Sequence, residues 1–237
     1  MHIVESYTLL ATVACSQNRI QIYISLSPAH HQNTDPSDTA FIFIEFQNEF
    51  TSPGGKLYEA VKDTMDEYHT IANAQKVLAA ARSAKCTVIH VPIEFGPGHY
   101  EINGDFGILA NVKAGEAFTA NTWNSEFCDG MKPEPTDFVV KGKTGLCGFH
   151  STNLDFLLRQ NRIANVVLSG FLTNCCVEST MRTAYENGYK VFTVKDCCGA
   201  TSIAGHEAAF EHAFGMFSIP TTSEEIMAAI QVPVAVV

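Results

Sequence analysis

The sequence predicts an α/β protein, a three-layer doubly wound sandwich around a six-stranded, mostly parallel sheet. Two observations carry this. Beyond residue 38, short β-branched and aromatic runs alternate with segments of helical spacing. The first of those runs, Ala40 to Ile44 (AFIFI), is apolar at every position, as a parallel strand covered by helices on both faces must be. Strand-helix alternation implies right-handed βαβ crossovers, and the common strand order 3-2-1-4-5-6 is expected.

The elements follow in order. Residues 1–38 mix apolar patches with a polar, turn-prone run that includes His30 and His31, and form an N-terminal extension to a domain of residues 39–237. The paired histidines have no carboxylate or cysteine at ligand spacing and are expected to be solvated loop. After the first strand, FIEFQNEF turns into the loop TSPGG, and helical spacing resumes from Leu57 and again from Ile71 to Ser83. Thr87 to Val91 is the second strand. Pro92 to Thr136, rich in Gly, Pro, Asn and aromatics with no sustained period, reads as a long functional loop region. Asp137 to Val140 is the third strand, and Thr152 to Gln160 a helix. Asn165 to Leu168 is the fourth strand, with a helix from Val177 to Asn187 stopped by Gly188. Lys190 to Val194, Met216 to Ile219 and a closing helix, Ser223 to Ile230, complete the series.

Composition narrows the function. The 237 residues carry 15 basic and 25 acidic side chains, a formal charge of -10, without the basic stripe that a nucleic acid or an anionic membrane requires. No apolar run reaches the 18 or more residues of a membrane span, and Met1 to Glu5 offers no basic region ahead of the apolar stretch Tyr7 to Cys15, so an untargeted chain is expected. Eight cysteines, two pairs of them vicinal and none in CxxC spacing, suit reduced thiols in a cytoplasmic setting better than a disulfide framework or a zinc site. The glycines fit neither GxGxxG nor GxxxxGK[ST], so no nucleotide cofactor is expected.

In open α/β sheets the ligand crevice lies beyond the carboxyl ends of the strands. Three polar groups stand there: Glu45 after strand one, Lys143 after strand three and Cys176 after strand four. Cys176 falls in the first turn of a helix, where unpaired N–H groups and the helix dipole favour a thiolate. With strand one beside strand four, a carboxylate, an ammonium and a thiol meet at the topological switch point and form a plausible nucleophilic unit. Each has a plain alternative, since a cysteine is most often a small core residue and loop charges are mostly solvated.

Three motifs resemble one family: IEFQNEF at 44–50, KTGLCGFHSTNL at 143–154, and GFLTNCCVEST at 170–180 followed by Arg182, Ala184, Gly188 and Tyr189. The chain is similar to the isochorismatase-like cysteine hydrolases, a group of isochorismatases, nicotinamidases and carbamoylsarcosine and ureido-compound hydrolases, over about residues 39–220. Asp196 matches a further family position. The resemblance implies that Cys176 is the nucleophile, Lys143 the cationic member and Glu45 the general base, family spacing selecting Lys143 over Lys141. It also implies a cis peptide between Phe171 and Leu172, with the N–H groups of Leu172 and Cys176 as oxyanion donors. Aromatic pocket walls are expected from Phe50, Trp123, Phe149 and Phe171, the aromatics nearest the motifs, although core packing would account for them equally well. The implied reaction is cleavage of an amide or ureido C–N bond through a thioester. The alternatives are an isochorismatase-type vinyl-ether hydrolase and a binding or scaffold protein with an impaired site.

Two departures bear on this. The family base is normally Asp, and Glu45 moves the carboxylate by about 1.5 Å; the intact frame around it points to a site rebuilt for Glu. The metal-binding residues of the nicotinamidases have no counterpart in HVPIEFGPGHY, where His90 and His99 lack partner spacing, so no metal and no cofactor are expected. A small-molecule substrate and a homo-oligomer, dimer or tetramer, complete the expectation.

Overall fold

The computed structural model describes residues 7–16, 19–28 and 34–230, which fall into two units parted between residues 33 and 34. In the first, β1 (Tyr7–Ser16) and β2 (Arg19–Pro28) form an antiparallel hairpin, with Tyr7 opposite Pro28 and Ser16 opposite Arg19. The signal for β2 was the period-two alternation of Ile20, Ile22, Ile24 and Leu26 with polar neighbours. His30 and His31 lie outside the described residues.

The second unit holds six strands: β3 (Thr39–Ile44), β4 (Thr87–Val91), β5 (Phe138–Val139), β6 (Asn165–Phe171), β7 (Lys190–Gly199) and β8 (Ile219–Thr221). All pair in parallel, in the order β5-β4-β3-β6-β7-β8. Counted from β3, this is the expected order 3-2-1-4-5-6. Every residue of β3 is buried, and alternate side chains enter opposite layers. Phe41 and Phe43 pack with α2 (Tyr58–Tyr68), α3 (Thr70–Ser83) and α9 (Ser223–Ile230), whereas Ala40, Ile42 and Ile44 pack with α5 (Leu154–Gln160) and α6 (Glu178–Glu186). A strand between two helical layers needs apolar residues on both faces, which is why AFIFI occupies the centre of the sheet.

The later strands and the 92–136 region differ from the sequence expectation, β6 running on to Phe171 beyond Leu168. The strand expected at Met216 to Ile219 is displaced, because a helical turn persists through α8 (Gly215–Phe217) and Ser218 still donates its N–H to the Phe214 carbonyl at 2.9 Å. β8 therefore starts at Ile219, and its Pro220 is tolerated because, among the described residues, this edge strand pairs with β7 alone. β7 continues past Val194 to Gly199, because β6 resumes pairing beyond an irregularity between Leu168 and Gly170, with Gly170 opposite Cys198. Asp196, Cys197 and Cys198 thus lie inside the strand, and the vicinal pair splits between the two core layers, Cys197 in one and Cys198 in the other. Region 92–136 contains a short 3-10 turn, Trp123–Ser125, and a true helix, α4 (Gly107–Ala114), which begins at the positive-φ Gly107. The four-residue α1 (Asn48–Thr51) and the seven-residue α7 (Ile203–Ala209) complete the set. Among the described residues no helix is long and apolar enough to cross a membrane.

Two buried histidines couple this core to pH. His90 in β4 stacks on Phe43 and places Nε2 3.3 Å from Asp137, whose carboxylate also binds Arg82 and the Glu134 N–H. His206 in α7 is fully buried as well. Burial pulls both imidazoles down to about 4, with Asp137 opposing at His90 and Lys195 assisting at His206. An unfolded imidazole protonates near 6.5, so the neutral rings contribute stability that is whole above about pH 6.5 and is lost as the pH falls toward 4. Urea unfolding between pH 7.5 and 4.5 is expected to show this loss, with uptake of close to two protons per chain; stability that stays flat across the window would refute it.

Candidate active site

β3 and β6 run side by side, and their last paired residues are Ile44 and Gly170. A Cβ on Gly170, which has φ +130°, would lie 1.9 Å from the Ile44 carbonyl oxygen, so only glycine permits this approach. Glu45 leaves the sheet here. Its φ of +56° is rare for a residue with a side chain, and its N–H donates to the Val91 carbonyl at 3.0 Å. The backbone turn sends the carboxylate inward, and the side chain is buried.

Lys143 comes from the loop after β5, fully buried, and donates to Glu45 Oε1 at 2.5 Å and to the Gly145 carbonyl at 2.7 Å. Cys176 sits in a wide π-type turn, Thr173–Val177, between β6 and α6. The N–H groups of Cys175 and Val177 both donate to the Leu172 carbonyl at 3.1 Å, and the Phe171–Leu172 peptide is cis. Thr180 Oγ1 donates to the Cys176 carbonyl at 2.7 Å and accepts from the Gly148 N–H at 2.8 Å, which ties the cysteine turn to the lysine loop.

The three groups act on one another. Burial penalises the Lys143 charge, but Glu45 and Cys176 outweigh it and raise the ammonium above its ordinary value. The Cys176 thiol is pushed well above the usual thiol range by its hydrogen bond to Cys175, by burial and by the Glu45 carboxylate, with Lys143 opposing. The resting site is therefore an ion pair beside a neutral thiol. The N–H groups of the turn alone do not make Cys176 a thiolate, as a position at a helix start would suggest.

The isochorismatase domain model matches residues 39–225. The chain belongs to the isochorismatase family. Its relatives include the ureidoacrylate amidohydrolase RutB of Agrobacterium fabrum, 33% identical over 166 residues that cover 65% of this chain and 72% of that protein. The RutB of Caulobacter vibrioides is 33% identical over 199 residues, covering 79% and 86%. Among solved structures, a cysteine hydrolase from Pseudomonas syringae pv. phaseolicola superposes with a TM-score of 0.73 at 27% identity, covering 84% of this chain and 95% of that one. N-carbamoylsarcosine amidase from Thermoplasma acidophilum gives 0.64 at 26%, covering 79% and 97%. This member of the isochorismatase family is a hydrolase.

Within this isochorismatase fold, the expected aromatic walls separate. Phe50 and Phe171 stack at 5.4 Å inside one core layer, whereas Phe149 packs on the other layer and stacks on Tyr189. Trp123 is 46% exposed and lies over Gly54. A cavity of about 510 Å³ opens instead against Lys143, lined among others by Glu94, Phe95, Phe127 and Lys141. Glu94 lies a little beyond the end of β4 at Val91, and that position past a strand end was the signal for it. Burial raises the Glu94 carboxyl above its usual range.

The residues after Glu45 act as clamps. Gln47 donates to the carbonyls of Ile93 and Ser125 and accepts from the Ile93 N–H, so one buried amide fixes both ends of the 92–126 region to the site. Asn48 donates to the Trp123 carbonyl, and the buried Glu49 accepts from the N–H groups of Lys56 and Phe118. His99 contacts the Ala117 carbonyl through Nε2 at 2.7 Å. Among the described residues no three His, Cys, Asp or Glu side chains gather closely enough to hold a metal ion.

Proposed function

We propose that the chain cleaves an amide or ureido C–N bond of a small molecule through a thioester on Cys176. The observation that carries this is the buried Glu45–Lys143 ion pair within electrostatic reach of a neutral, buried thiol. Glu45 takes the thiol proton as sulfur attacks the carbonyl carbon, and Lys143 stabilises the thiolate as it forms. The oxyanion faces the N–H groups of Leu172 and Cys176; that of Leu172 donates to no carbonyl among the described residues. The C–N bond breaks, the proton passes from Glu45 to the leaving nitrogen, and ammonia or an amine departs. Glu45 then deprotonates a water molecule, which attacks the thioester, and the returning proton restores the thiol as the acid leaves. Relatives named amidohydrolase and amidase support a C–N bond as the target.

The test is a panel of small amides, ureides and isochorismate, run with wild type and Glu45→Asp. Turnover of an amide or ureide is expected. The aspartate variant is expected to lose roughly 100-fold in kcat, because shortening the side chain withdraws the carboxylate from the position that Lys143 now holds. Turnover of isochorismate alone would remove the C–N reading, and a faster aspartate variant would remove the idea of a site rebuilt around Glu45.

A further inference from the structure

Thr173 opens the turn that carries Cys176, and its side chain is fully buried. Its Oγ1 lies 2.8 Å from Nδ1 of His206, a residue 33 positions further on. The imidazole is held between Tyr68, 4.5 Å away between ring centres, and Phe210, 5.0 Å away. Tyr68 is tied to α7 as well: its hydroxyl and the Lys195 ammonium both donate to the Glu207 carboxylate next to His206. Helix α7 also packs closely on the turn, since a Cβ on Gly205 would lie 3.5 Å from Asn174 Nδ2.

The other ring nitrogen, Nε2, is buried with no hydrogen-bond partner among the described residues. A residue present only to fill space between two aromatic rings would be apolar, because an unpartnered buried nitrogen opposes folding. Histidine is therefore explained by what Nδ1 does, and among the described residues its hydrogen-bond partner is Thr173. Burial keeps the ring neutral, so the contact is an ordinary hydrogen bond whichever of the two groups carries the proton.

We propose that His206 is a positioning residue for the nucleophile: its bond to Thr173 pins the start of the cysteine turn to α7, while Thr180 holds the far side at the Cys176 carbonyl. This rests on Cys176 being the nucleophile. Misplacement of a reacting group by about 1 Å costs up to roughly 100-fold in rate, so breaking the bond acts on kcat and leaves KM nearly unchanged.

The variants separate the bond from the packing. Asparagine places its amide where Nδ1 stands and can donate or accept, glutamine reaches toward the Nε2 position, and Thr173→Val removes the hydroxyl without changing volume. The pH profile of Cys176 alkylation by iodoacetamide, resolved from Cys175 by peptide mass, is measured with thermal stability for wild type, His206→Asn, His206→Gln and Thr173→Val. Alkylation and kcat are expected to fall roughly 10- to 100-fold in His206→Gln and Thr173→Val, with recovery to within about threefold of wild type in His206→Asn. Equal rates in wild type and Thr173→Val would overturn the proposal, as would an asparagine variant no better than glutamine. Wild-type turnover retained in Cys176→Ala would instead remove the catalytic reading itself, a result seen before any His206 or Thr173 variant is compared.

Discussion

Replacing Cys176 with alanine is expected to abolish turnover, by roughly 10⁴-fold or more, whereas Cys175→Ser stays within about tenfold of wild type. The contest between the two is real. Cys175 is the more exposed thiol, and its hydrogen bond with Cys176 lowers its own value while raising that of its neighbour. Reactivity at rest and catalytic role need not coincide, because catalysis depends on the attacking sulfur standing between a base and an oxyanion site. Cys176 is the thiol whose carbonyl is anchored by Thr180 and whose burial excludes water from the attack. Intact-mass analysis during turnover is the deciding measurement. An acyl adduct on the Cys176 peptide, lost in Cys176→Ala, supports the assignment, and an adduct on Cys175 with activity persisting in Cys176→Ala would transfer the role to its neighbour.

The second large effect concerns stability. Lys143→Met leaves the Glu45 carboxylate buried without its cation and is expected to cost about 3–5 kcal/mol, measured by urea unfolding. Glu45→Gln strands the ammonium in the same way, although the Gly145 carbonyl still accepts from it and softens the loss. The double variant Glu45→Gln/Lys143→Met removes both charges and is expected to recover most of the stability, because the desolvation penalty disappears with the attraction. All three are expected to be inactive. Wild-type stability in Lys143→Met would mean that Glu45 is neutral or hydrated in the folded protein, and the ion pair would then be no part of the resting site.

The central strands were legible because burial on both faces of β3, β4 and β6 writes itself into consecutive apolar residues. The hairpin at residues 7–28 was also written in the chain, as alternation in β2, yet its stretch reads as scattered apolar patches when taken as a whole. Helix α4 escaped because its eight residues lie among glycines, and the Gly199 end of β7 escaped because its pairing depends on an irregularity in another strand. The aromatics illustrate the same limit: proximity to a motif in sequence placed Phe50, Trp123, Phe149 and Phe171 together, and the folded chain stacks only Phe50 on Phe171.

By itself the sequence determined the layered sheet, the strand order's likeness to other doubly wound folds, and three reactive groups at strand ends, since all of these follow from local periodicity and from where strands stop. The tertiary structure decided which groups feel one another. Glu45 and Lys143 are 98 residues apart and share an ion pair, and Thr173 meets His206 across 33 residues. Whether Cys176 rests as a thiol, and what holds its turn in place, depends on burial and on angstrom distances between remote segments, because electrostatic and hydrogen-bond energies are set by separation in space and no spacing along the chain encodes it.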